Sequence, residues 1–105
     1  MKKPVIEVNG KKYEMKTPKP RMWRKFFKFD EERAKMSVAD SVEEHCKFLP
    51  EWFEGDLTAD EMLDNMEVEE IFKAYNGCLK YLLSMFAAKW GDEEKKEAND
   101  GNVQK

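Results

Sequence analysis

Val5-Ile6-Glu7-Val8-Asn9-Gly10-Lys11-Lys12-Tyr13-Glu14-Met15 reads as a β-hairpin. Asn-Gly is a strong short signal for a type I′ turn, because both central residues need positive φ and these two types tolerate it. A two-residue loop fixes the register. Val8 then faces Lys11, Glu7 faces Lys12 and Ile6 faces Tyr13. Side chains alternate across a strand, so Ile6, Val8, Tyr13 and Met15 share one face. Glu7 and Lys12 meet on the other as an opposite-charge pair. A lone hairpin is marginal in water, so its apolar face must pack on something. Everything after Pro20 reads as helix. The sequence therefore predicts a mainly α domain with a small β part: an N-terminal hairpin packed on a compact bundle of about four helices.

With 105 residues, 41% of them apolar, the chain has room for one core. The assignment is a single helical domain over residues 1–90, with the hairpin at 5–15, and a polar tail over 91–105. That tail begins Gly91-Asp92-Glu93-Glu94-Lys95-Lys96-Glu97 and stays polar to Lys105, so it is expected to be disordered. Apolar runs are only a few residues long, and no apolar stretch follows Lys2-Lys3, so neither a membrane span nor a secretory signal is expected. Charge is unevenly spread. Residues 1–29 hold ten Lys/Arg and two acids, whereas residues 30–105 hold nine and twenty. Such asymmetry suits an anion-binding arm, or two faces that attract each other or a partner.

Lys16-Thr17-Pro18-Lys19-Pro20 is an extended connector, and Pro20 fits the first turn of a helix. Met22, Phe26 and Phe29 form an apolar stripe flanked by Trp23 and Phe27, with Arg24, Lys25 and Lys28 mostly opposite. A second helix is expected near Ser37, with the stripe Val38, Val42, Cys46, Leu49 and then Trp52 or Phe53. Pro50 interrupts it at a cost of about 3 kcal/mol, which predicts a kink or restart at Leu49-Pro50. Gly55-Asp56 should close the element. Thr58-Ala59-Asp60-Glu61 is a capping box opening a short helix to about Asn65, which is placed to cap the next one. The last helix, from about Glu67 to Trp90, keeps three-four spacing through Val68, Ile71, Phe72, Tyr75, Cys78, Leu79, Leu82, Leu83, Phe86 and Trp90. Gly77 lies on its polar side, as a weak point or a place of close approach.

Catalytic vocabulary is thin. The single histidine, His45, is expected at the edge of a helix face. Cys46 and Cys78 read as buried free thiols, since no Cys-x-x-Cys or His-x-x-x-His spacing suggests a metal. The acidic positions Asp56, Asp60, Glu61, Asp64, Glu67, Glu69 and Glu70 lie at helix starts, where negative charge complements the macrodipole. No enzyme activity, cofactor or metal site is therefore expected. The basic, aromatic segment Lys16–Lys28 keeps open an alternative, a small nucleic-acid-binding regulator. Its aromatics sit at core spacing, however, so neither nucleic acid nor membrane is expected as a partner.

The layout as a whole resembles a known family. It runs from the Asn-Gly-Lys-x-Tyr-Glu hairpin through Lys-Thr-Pro-Lys-x-Arg-Met-Trp-Arg into an aromatic-basic helix. A helix ending in Phe-Glu-Gly, then Leu-Thr-x-Asp-Glu-Met-Leu-Asp-Asn and the long final helix complete it. This is similar to the small tail assembly chaperones of long-tailed bacteriophages and prophages of Gram-positive bacteria. The resemblance covers residues 5–90, and Pro50 departs from the pattern. It implies a protein that binds and solubilises the tape measure protein and helps recruit tail tube subunits of the major tail protein. It also implies action in the bacterial host cytoplasm and absence from the mature virion. A homo-oligomer fits the same role. The residues agree with such a role: seven methionines offer adaptable contacts. Met62, Met66, Tyr81 and Met85 are the candidate partner-binding residues. Tyr81 and Met85 widen the apolar surface of the last helix on one side, either as core edge or as a partner groove or dimer seam.

Overall fold

The computed structural model describes residues 2–86. Trp90 and the tail assigned to 91–105 lie outside the described residues. Strands β1 (Val5–Val8) and β2 (Lys11–Glu14) pair antiparallel. Four helices follow: α1 (Pro20–Arg33), α2 (Val38–Phe48), α3 (Ala59–Asn65) and α4 (Val68–Phe86), with a 3-10 turn over Leu49–Trp52.

The hairpin has the expected register, Val8 against Lys11, Glu7 against Lys12 and Ile6 against Tyr13. Asn9 and Gly10 adopt φ of 54° and 81°, as a type I′ turn requires. Val8, Tyr13 and Met15 are buried and Ile6 is half-buried, so the apolar face does lie against the helices. The outer edge of β2 is covered from within the chain. Glu54 N–H donates to Glu14 O and Lys16 N–H to Trp52 O, both at 2.8 Å, and Met15 bridges Phe53.

Helix α1 starts with Pro20 in its first turn, and Phe26 and Phe29 enter the core. Phe26 stacks on Tyr75 at 4.8 Å and meets Trp52 edge-on at 5.0 Å; Phe29 stacks on Phe48 at 4.0 Å. Such ring pairs favour offset and edge-to-face geometry, and here they join α1, α2 and α4 into one aromatic core. Tyr75 Oη also donates to Asp30 Oδ1 at 2.6 Å, while the Arg33 guanidinium lies 4.0 Å over the Tyr75 ring.

Ser37 caps α2, its hydroxyl accepting from Asp40 N–H. The stripe tightens into the 3-10 turn at Leu49-Pro50, a restart at the place the proline foretells. Trp52 and Phe53 are both buried. The full capping box forms at α3: Thr58 Oγ1 accepts from Glu61 N–H, and Glu61 Oε1 accepts from Thr58 N–H.

Several expectations need correction. Val38 is 87% exposed, because it is the first residue of α2 and its Cβ leans toward the N-terminus, away from the core. Gly55-Asp56 does not end α2, since the chain is already extended at Phe53. Gly55 instead adopts φ of 100° where a Cβ would lie 3.3 Å from the Tyr13 ring. Asn65 does not cap α4; its side chain donates to Glu61 O inside α3, and Glu70 accepts from Glu67 N–H at the start of α4. Val68, Leu83 and Phe86 are exposed, while Ala74 joins Ile71, Tyr75, Cys78 and Leu82 in the core. The buried arc of α4 is thus rotated from the sequence stripe toward Ala74.

Candidate docking surface

The residues with chemical potential are turned inward or used in capping. His45 is fully buried, not at a helix edge as its position suggests. Its ring meets Phe29, Phe72 and Tyr75 edge-on at 4.9–5.2 Å. Nδ1 lies 2.7 Å from Ser41 O, which only accepts, so Nδ1 carries the hydrogen and donates. Nε2 is then an acceptor with no partner among the described residues. Burial lowers the His45 pKa, and the nearby Arg33 charge adds to that, against the Ser41 bond and Asp30. Burial holds the Cys78 thiol up at about 12 and also raises Cys46. Both cysteines are buried free thiols. Of the acidic run, Asp60 and Glu61 lie in the first turn of α3 and Glu69 and Glu70 in that of α4, whereas Asp64, also expected at a helix start, lies in the last turn of α3. Glu61 and Glu70 accept from backbone N–H groups, Asp56 pairs with Lys11 at 3.0 Å, and Glu69 pairs with Lys73 at 3.5 Å. Among the described residues, no three of His, Cys, Asp and Glu are grouped to hold a metal ion, and no helix is long and apolar enough to cross a membrane.

On the basic segment the aromatics divide. Phe26 and Phe29 are core, while Trp23 and Phe27 are half-buried against each other at 4.6 Å, with Phe86 stacked 6.2 Å from Trp23. Lys25 pairs with Glu51 at 2.8 Å. Packed rings of this kind have little free face on which a base could stack.

A concave surface lies elsewhere, between the hairpin and α4. It is a groove of about 400 Å³. One wall is the chain at residues 4–7; the other is the α4 face carrying Glu70, Lys73, Ala74 and Gly77, with Met66 beside it. Two small residues, Ala74 and Gly77, keep the floor low. A Cβ at Gly77 would meet only Pro4, at 3.8 Å, so the glycine marks the close approach of hairpin and helix. Four- and eight-residue steps from Gly77 place Tyr81 and Met85 on the same helix face.

Of the four residues singled out from sequence, three border this side of the molecule. Met66 is half-buried in the groove, Tyr81 is half-buried beyond it, and Met85 is 40% exposed near the end of α4. Met62 is fully buried in the core and presents nothing to a partner. Sequence reasoning passed over Ala74 and β1 as groove walls. Gly77 was the one local signal for them, as a small residue on a helix face that otherwise carries long side chains.

A family model described as "Phage tail chaperone protein" matches residues 1–102. No curated protein and no solved structure matches the chain.

Proposed function

The chain belongs to the phage tail chaperone family, and from that premise we propose that its client is the tape measure protein of a long-tailed phage. It binds this client in the host cytoplasm, keeps it soluble, helps recruit tube subunits of the major tail protein, and is left out of the finished virion. A phage or prophage of a Gram-positive host fits the resemblance in the sequence. The observation that carries this reading is the family match over nearly the whole chain.

The structure supports action by binding. Its one imidazole and both thiols are buried, and the thiols are held in their protonated form. The surface offers instead an apolar groove continued by Tyr81 and Met85, with Met66 as a pliable wall. A chaperone for an apolar client needs such a face and no bond-making group. Tyr81, Met85 and Met66 are the proposed client contacts.

Co-expression with the tape measure protein of the same tail gene cluster tests the reading. The client should become soluble and co-purify with this chain. The competing reading, a nucleic-acid binder using Lys16–Lys28, would appear as retardation of duplex DNA or RNA with steep salt dependence. Such retardation together with no effect on the tape measure protein would overturn the chaperone reading.

A further inference from the structure

The groove is walled by four consecutive residues of one strand segment, 4–7. Side chains alternate across a strand, so a cavity that touches every residue in turn lies along the strand's edge. The register says which backbone groups line that edge. Met15 N–H donates to Pro4 O at 2.9 Å, and in an antiparallel ladder bonded pairs alternate with non-bonded ones. Ile6 and Val8 therefore spend their N–H and C=O groups on β2. Those of Val5 and Glu7 point outward over the groove. No backbone partner bonds them among the described residues. The two edges of the hairpin are thus treated differently: β2 is covered by residues 52–54, and β1 is left open.

We propose that β1 is a template for strand addition: an extended segment of the client pairs antiparallel or parallel with Val5 and Glu7 and lies across α4. Its alternate apolar side chains sit over Ala74 and Gly77. An α-helix would leave the two donors and two acceptors of β1 unused, since its own backbone groups are already bonded. A strand uses all of them, and main-chain pairing plus alternate side-chain pockets is how added strands are held. Charge sets a further requirement on the segment. Among the described residues Lys73 pairs with Glu69, Glu7 faces Lys12 across the hairpin without closing an ion pair, and Glu70 has no cation at ion-pair distance, so both groove carboxylates can take a cation from the segment. The segment therefore carries lysine or arginine beside its apolar positions, within reach of these two carboxylates. This inference rests on the client-binding reading above.

Amide exchange on the complex with co-expressed tape measure protein tests it. The Val5 and Glu7 amides should exchange at least ten-fold more slowly in the complex than in the free protein. Those of Ile6 and Val8, already in the ladder, should change less. Glu7→Pro removes an outward donor without breaking a bond to β2, and should weaken capture of the tape measure protein at least ten-fold with the melting transition retained. Should that variant fail to fold, the pair Glu7→Lys and Glu70→Lys reverses the groove charge at exposed positions and should weaken capture on its own. A wild-type complex that forms with unprotected Val5 and Glu7 amides, or that survives the charge reversal unchanged, overturns strand addition and leaves the chaperone reading standing. If the wild-type chain does not hold the tape measure protein at all, the chaperone reading itself fails.

Discussion

Stability should fall as pH drops from 7.5 to 5.5, and a single side chain should account for it. The chain has one histidine, so few other groups titrate in that window. His45 is fully buried among Phe29, Phe72 and Tyr75, and its Nε2 has no partner among the described residues. A proton there would place a charge and an unsatisfied N–H inside an aromatic cage, which is why burial lowers its pKa below the usual value. The sign follows. Above the unfolded pKa of about 6.5, neither state binds the proton and the contribution to stability is complete. Below it, the unfolded chain takes up the proton and the folded chain resists. Stability is lost with a slope approaching about 1.4 kcal/mol per pH unit until the lowered folded pKa is reached. The loss by pH 5.5 has a ceiling of about 1.4 kcal/mol, set by the unfolded pKa alone. Urea unfolding at pH 7.5, 6.5 and 5.5 measures it. His45→Gln should be about 1–3 kcal/mol less stable at pH 7.5, because it exchanges ring contacts for a buried amide with too few partners. It should also be flat across the window. A flat profile for the wild type, or a slope retained by His45→Gln, would show that the imidazole is not the group that resists protonation.

Four further outcomes are expected. Gly77→Ala should raise stability by up to about 1 kcal/mol in thermal melts, because a Cβ there only touches Pro4 at 3.8 Å and alanine is the better helix former. Tyr75→Phe should cost about 1–2 kcal/mol, since it removes the 2.6 Å bond to Asp30; water reaching that partly exposed carboxylate keeps the loss toward the lower end. Replacing Tyr81 by Ser and Met85 by Gln should leave a cooperative melt but weaken client association in co-purification. By contrast, Leu82→Ala should destabilise the fold by about 2–5 kcal/mol, as its side chain is fully buried.

The amino-acid sequence determined what short-range chemistry can determine. Asn9-Gly10 set the turn and hence the register of the whole hairpin; Thr58 and Glu61 set the start of α3; Pro50 set the break after α2. Each depends on residues a few positions apart, so each is written locally. Helical periodicity likewise marked most of the core, including Phe26, Phe29, Cys46 and Tyr75.

Which flank of each stripe is covered was decided only by the tertiary structure. Val38, Leu83 and Phe86 keep the helical period yet stand exposed, while Ala74, too small to register as part of a stripe, is buried. The same holds for His45, whose polarity suggests an edge but whose neighbours on α1 and α4 close over it. Met62 and Met66 are alike in sequence, and only packing puts one in the core and the other in the groove. The open edge of β1 is also a tertiary fact, because it depends on residues 52–54 returning to β2 and not to β1. Turns, caps and periods arise from bonds between near neighbours; burial arises from which distant segments pack together, and a one-dimensional pattern carries that only indirectly.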